Sequence, residues 1–197
     1  MKLSQRLWNE STNKQFYDEV LALIQKHPGS CDDVWLTTAV GYPSREEHKR
    51  YAAELCGVAE KFRAAGISVS LQVANTLGHG LYMCTYDCTG LVYDGSPVEH
   101  MVGADGTAAE LSFCPRGKHF RAYIAETLSY YAPIQPQILW VDDDFRLPNH
   151  KPVEFGCFCE DCLAAFNARY GASFSREDLV REILYAKDTA WREKLAP

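Results

Sequence analysis

The sequence has no block of basic residues, no apolar run long enough to span a bilayer, and no apolar core near its N-terminus. The first lack argues against a nucleic-acid partner. With a net charge of -6, no basic patch is present to meet phosphates. The second leaves no segment that reads as a membrane helix. The third, seen in Met1-Lys2-Leu3-Ser4-Gln5-Arg6, leads us to expect a cytoplasmic chain with no membrane partner. Cysteine, by contrast, is plentiful, with eight residues. A disulfide framework suits short exported chains, so metal binding is the better account of them. Cys31 and Cys56 stand apart from the rest. Cys56 falls in a helical pattern, where a buried thiol behaves as a small apolar residue.

Along the chain, strand and helix patterns alternate. A weak strand over 2–7 precedes a helix with Phe16, Val20, Leu21, Leu23 and Ile24 on one face, ended by His27-Pro28-Gly29. Residues 33–40 read as a buried strand. Ser44 and Glu47 form a capping-box pair for a helix over about 45–64 that stops at Gly66. Residues 67–74 alternate at period two. A long irregular passage, 75–116, follows, rich in glycine and carrying His79, Tyr82, Tyr86 and Tyr93. A loop of that length in a compact domain is either functional or a floppy insertion. The aromatics and its start at a strand end favour function. Further helices are expected over about 117–131, over Glu160 to Tyr170 with Gly171 as C-cap, and from a Ser173 or Ser175 cap to about 186.

The centre of the chain is Ile138-Leu139-Trp140-Val141 followed by Asp142-Asp143-Asp144-Phe145-Arg146. The apolar run reads as a buried strand whose carboxyl end carries three acids. In α/β folds that end holds ligands and catalytic groups. Three adjacent carboxylates repel, which raises the pKa of at least one of them unless a cation intervenes. A solvated acidic turn is the plainer alternative. Asp142 and Asp144 alternate to one face if the strand stays regular, and Asp143 faces away.

The cysteines are the most specific signal. Cys157-x-Cys159-x-x-Cys162 places three thiols at the start of a helix, where negative charge is favoured. Tetrahedral zinc needs a fourth ligand. Cys114, just before the preceding helix, can supply it if successive helix starts share one end of a sheet. Cys84 and Cys88 in the long passage are the rivals. A closed four-thiolate site is structural, with no position left open for substrate.

These residues carry a resemblance. Trp140-Val141-Asp142-Asp143-Asp144-Phe145, then Gly156-Cys157-Phe158-Cys159-Glu160-Asp161-Cys162-Leu163-Ala164-Ala165-Phe166, then Arg169-Tyr170-Gly171 resemble the fourth-strand region of the microbial β-galactosidases of glycoside hydrolase family 42. The likeness covers roughly residues 110–175, and the cysteine spacing is its specific part. It implies a (β/α)8 barrel and a structural zinc held by Cys114, Cys157, Cys159 and Cys162. It also implies a general acid/base at Asp144, beside Asp143, where that family has Asn-Glu. Aspartate is one methylene shorter than glutamate, a displacement of roughly an ångström that matters in catalysis. A retaining mechanism wants a second carboxyl about 5–5.5 Å away. The family's nucleophile lies on the seventh strand, and the chain ends before such a strand is expected. Asn75 and His79 fall at the end of the third strand, where barrel enzymes place sugar contacts, with a plain loop residue the alternative for His79. Arg146 either neutralises the acids or binds a sugar hydroxyl, and the tyrosines at 82, 86 and 93 either stack on sugar or pack the loop.

The expectation is therefore α/β: a partial (β/α)8 TIM-barrel-like fold of about four β/α units, with a long loop after the third strand. A closed barrel typically needs about 250 residues, more than the 197 here. The whole chain reads as one domain, the N-terminal part of a glycoside-hydrolase-like barrel acting on a carbohydrate substrate. Two other readings compete with it. Asp142-x-Asp144 after an apolar strand also suits a magnesium-dependent phosphohydrolase or a nucleotide-sugar glycosyltransferase. A zinc-stapled half barrel without catalysis would bind glycan or self-associate, because open parallel-strand edges call for a partner or a missing second half.

Overall fold

The computed structural model describes residues 2–8, 14–74, 76–78, 91–142, 145, 147 and 150–185. In chain order the elements are β1 (Ser4–Leu7), α1 (Lys14–Lys26), β2 (Asp33–Thr37), α2 (Arg45–Ala64), β3 (Ser68–Val73), β4 (Val92–Tyr93), β5 (Ser96–Pro97), β6 (His100–Val102), β7 (Ala108–Phe113), α3 (Lys118–Tyr131), β8 (Leu139–Val141), α4 (Glu160–Tyr170) and α5 (Arg176–Tyr185). They fall into two compact units. The first comprises Met1–Thr76 with Ala122–Phe145, and the second Leu77–Arg121 with Arg146–Pro197. Among the described residues, no helix is long and apolar enough to cross a membrane.

The first unit is a four-stranded parallel sheet in the order β1-β2-β3-β8. The expected α/β alternation is thus present, with a parallel sheet. Alternation divides its side chains between two faces. Leu7, Val34, Leu36, Val69 and Leu71 point to one side and join Tyr51, Leu55, Val58, Ala59 and Phe62 of α2 in a buried core. The expected capping box starts α2: Glu47 N–H donates to Ser44 Oγ at 3.3 Å, and Ser44 N–H donates back to Glu47 Oε2 at 3.0 Å. Arg6, Asp33, Trp35, Ser70, Gln72 and Trp140 take the other face. There Asp33, 3% exposed, accepts hydroxyl hydrogen bonds from Ser4 (2.7 Å), Ser68 (2.8 Å) and Ser70 (3.1 Å). One carboxylate so ties three strands in register.

One expectation fails here. The run ending in Val141 reads as a buried strand, yet Leu139, Trp140 and Val141 are 53%, 40% and 57% exposed. Among the described residues β8 pairs only with β3, so it is an edge strand. Hydrophobic patterning reports what a strand needs to bury, and an edge position leaves that need unmet.

Behind the sheet a polar chain crosses the core. The Ala39 amide donates to the Tyr131 hydroxyl (3.1 Å), which lies 2.9 Å from His48 Nδ1. His48 Nε2 is 3.0 Å from the Tyr123 hydroxyl, which donates to Pro43 O at 3.0 Å. Tyr123 has spent its proton on the carbonyl, so it accepts from Nε2–H, and Nδ1 accepts from Tyr131. A neutral imidazole satisfies every group. Burial holds its pKa at about 4, below the ordinary 6.5, against a smaller upward pull from Glu47.

The second unit corrects the view of 75–116 as irregular throughout. Its latter half holds two antiparallel pairs, β4–β5 and β6–β7. Asp94 and Gly95 join the first pair with φ of 49° and 78°, the two positive values that a tight hairpin turn demands. The strands are only two to six residues long, too short for period-two patterning to stand out. Gly78, at φ 101°, lies where a Cβ would come within 2.1 Å of Leu111 O, so only glycine fits beneath β7. A smaller core joins Phe158, Leu179 and Ile183 with Leu163, Phe166 and Phe174. Asn167 fastens the link between α4 and α5 with paired bonds to Phe174 O (2.8 Å) and N (3.0 Å). Gly171 caps α4 at φ 62°, and Ser175 Oγ accepts from Asp178 N–H at 3.1 Å to start α5.

His48 yields a sign-definite prediction. Its folded pKa lies below the unfolded one, so the unfolded chain takes up more protons between pH 6.5 and 4. Stability due to this site is complete above about pH 6.5 and falls by on the order of 3 kcal/mol toward pH 4. Chemical denaturation across that range is expected to show a shallower pH slope in His48→Gln than in wild type.

Candidate functional site

The four cysteines named from spacing converge. The Sγ atoms of Cys114, Cys157, Cys159 and Cys162 all lie within 4.8 Å of one another, and Cys114 is 3.5 Å from both Cys159 and Cys162. Four sulfurs at about 2.3 Å around a tetrahedral ion have edges of about 3.8 Å, so the cluster fits a metal ion. Cys114 is fully buried and the other three are half-buried.

Cys114 lies shortly before α3 and Cys159 directly before α4, and the backbone that joins them is antiparallel. Cys114 directly follows β7, the second strand of the antiparallel β6–β7 pair, and its amide donates to Glu99 O at 2.8 Å. The other edge of β6 then holds the cysteine loop. Gly103 bridges Gly156, Phe158 N–H donates to Val102 O at 2.8 Å, and Val102 N–H points at Cys157 Sγ at 3.4 Å. β6 thus lies between the strand that leads to the fourth ligand and the segment that carries the first of the other three. Gly156 permits the approach: a Cβ there would stand 3.0 Å from Val102 O and 3.1 Å from Met101 Cγ.

Metal-free, four thiols this close are in conflict. Hydrogen bonds led by the Cys114 thiol pull Cys159 well below an ordinary thiol, and Cys162 is held well above. Cys114 is also held well above, first by its contact with Cys157. Cys157 is pulled down to about 7, again chiefly by Cys114, so two of the four sulfurs favour the thiolate and ionisation of the other two is opposed. A cation removes that opposition and takes every sulfur as thiolate. Amide donors support the arrangement, with Val102 N–H on Cys157 and Arg116 N–H on Cys114, each at 3.4 Å. Glu99 anchors the base of the turn. Its carboxylate accepts from His119 and Phe120 N–H, each at 3.1 Å, and sits 2.8 Å from His119 Nδ1. These donors hold its pKa below the ordinary value although burial pushes it up.

At the acidic strand end, Asp142 is described, while Asp143, Asp144, Asn75, His79 and Arg146 lie outside the described residues, as do Cys84, Cys88, Tyr82 and Tyr86. Tyr93 belongs to the β4–β5 hairpin. Asp142 accepts from Gln72 Nε2 at 2.8 Å and lies 4.0 Å from the Arg6 guanidinium. Sequence reading did not pick out either partner. The period-two pattern of 67–74 does put Gln72 on the face opposite Leu71 and Val73, and that was the available signal. β1 and β8 would stand about 14 Å apart in a flat sheet, so an Arg6–Asp142 contact across β2 and β3 shows that this face is concave.

No family model matches the sequence, and no curated protein matches it. Among solved structures, the chain is similar to the debranching enzyme of Nostoc punctiforme determined after soaking with acarbose. The two share 12% identity, with 88% of this chain and 48% of that one covered and a TM-score of 0.41. The chain thus spans about half the length of that structure. A likeness of this size does not establish a shared fold.

Two changes test the cysteine centre. With Co2+ as the probe, thiolate-to-cobalt charge-transfer absorption is expected in wild type and is expected to collapse in Cys114→Ser. Gly156→Ala keeps all four ligands but forces β6 away from the cysteine loop. Its cobalt affinity is expected to fall about 10- to 100-fold, the range for disturbed supporting contacts. Equal affinity in Gly156→Ala would show that the close approach is not needed.

Proposed function

We propose that the chain is part of a barrel-type glycoside hydrolase in which the four cysteines hold a structural zinc ion and the acidic strand end acts on a glycosidic bond. The observation that carries this reading is the convergence of Cys114 with Cys157, Cys159 and Cys162, the residues on which the resemblance to family 42 β-galactosidases rests. An all-thiolate donor set suits zinc and leaves no open coordination position, so the ion neutralises the thiolates and fixes the loop. Chemistry belongs to the acids.

The parallel sheet in chain order, with helices against one face and a concave polar face on the other, supports a partial (β/α)8 arrangement. Among the described residues, β1 and β8 each pair with one strand only. A groove of about 460 Å³ runs beside β1, lined by Phe16, Val20, Leu23 and Ile24. Open edges favour a second copy, or a C-terminal half of the barrel, as the partner.

In the reaction, Asp144 protonates the glycosidic oxygen as the bond to the anomeric carbon breaks, and Asp142 and Asp143 keep its proton in place by repulsion. Asn75, His79 and Arg146 contact the sugar. No second carboxyl of the chain is assigned as nucleophile, so the 197-residue chain by itself is expected to turn over little or nothing.

An external nucleophile tests this. With azide added, phenyl glycosides, whose poor leaving group needs the acid, are expected to be converted by wild type and not by Asp144→Asn, and zinc content near one per chain is expected to be lost in Cys159→Ser. Magnesium-dependent phosphatase activity with no glycoside turnover, with or without azide, would replace the glycosidase reading with a phosphohydrolase. Iron in place of zinc would overturn the assignment of the ion.

A further inference from the structure

The concave face of the parallel sheet carries an unusual set of side chains near the carboxyl ends of its strands. Trp35 on β2 and Trp140 on β8 have ring centroids 5.1 Å apart, inclined at 41°. Their strands are two spacings apart, about 10 Å if flat, so the indoles lean toward each other across β3. The Arg6 guanidinium lies 4.3 Å from the Trp8 ring centre and 5.5 Å from that of Trp35. Trp140 remains 40% exposed, so part of its indole is open to a ligand.

At the base of this aromatic row sits Gln72, the cross-strand neighbour of Trp140 and only 4% exposed. Its Nε2 donates to Asp142, and its Oε1 is buried without a hydrogen-bond partner among the described residues. A buried acceptor left unpaired is destabilising, and one that persists in a native structure calls for an explanation, such as a donor brought by a ligand.

We propose that this face, built by Arg6, Trp8, Trp35, Gln72, Trp140 and Asp142, binds a pyranose ring. A pyranose presents an apolar C–H face and a rim of hydroxyls that both donate and accept. Indoles match the first, offering broad apolar surface at low entropic cost. Gln72 Oε1 and the Asp142 carboxylate accept from ring hydroxyls, and the Arg6 guanidinium donates to a hydroxyl oxygen. The base of a nucleotide would also stack on the indoles, so a nucleotide is the contrast in the test. The choice of a sugar rests on the carbohydrate reading above. Apart from Asp142, which in that reading repels the Asp144 charge, the residues are new to it, and none of them transfers the proton.

Three of the four tryptophans in the chain belong to this cluster, so intrinsic emission reports on it directly. The 197-residue chain is titrated with lactose, cellobiose, maltose and, as a contrast, uridine monophosphate. A saturable emission change with at least one disaccharide and none with the nucleotide is expected. Trp140→Ala and Gln72→Leu are each expected to weaken binding by about tenfold or more. Thermal melts identify any variant that fails to fold, and Trp8→Ala, at the exposed end of the row, then takes its place. No saturable change with any disaccharide, preferential binding of the nucleotide, or equal affinity in the folded variants overturns the proposal. Binding without turnover in the azide assay leaves this site standing and removes the hydrolase. Turnover that is indifferent to Trp140 and Gln72 does the reverse.

Discussion

Four sulfurs held within 4.8 Å of one another set the terms for the second unit. Thiols can share such a space only by leaving some of their protons in place, whereas four thiolates can share it only around a cation. The surrounding backbone is arranged for the second case. β7 delivers Cys114, β6 lines the cysteine loop through Val102, and α4 begins at Glu160, immediately after Cys159. The hydrophobic cluster around Phe158, Leu179 and Ile183 is small, so a metal ion held by the cysteines would contribute a large share of what fixes these short strands and two helices.

The first unit depends instead on ordinary burial. Leu36, Leu55, Phe62 and Leu71 form a close-packed layer between the sheet and α2, and the Asp33 carboxylate fixes strand register from the opposite face. That division leaves the concave face free to carry polar and aromatic groups with no structural duty to fill a core. Tryptophans, an arginine and an unpaired amide oxygen persist there at a cost in stability, which is typical where a ligand and not the fold sets the residue.

Much of this was readable in advance because it is local. The capping box of Ser44 and Glu47, the glycine stops at Gly66 and Gly171, and the apolar stripe of Phe16, Val20, Leu21 and Ile24 on α1 are set by residues within one or two turns of each other. The three clustered cysteines are equally local, and their spacing alone implied a metal. The hairpins within 75–116 escaped because strands of two or three residues carry almost no period. Asp94-Gly95 was a visible turn signal there, and its flanks were too short to confirm it.

The sequence by itself determined the α/β alternation, the two helix caps and the ligand type at the cysteine cluster, since each follows from neighbours along the chain. Tertiary structure alone decided that Cys114 reaches its partners through an antiparallel hairpin, that Val141 and its neighbours lie on an exposed edge, and that Gln72 and Arg6 meet Asp142. Each of these depends on which strand lies beside which, and pairing across dozens of residues leaves no periodic trace in either partner.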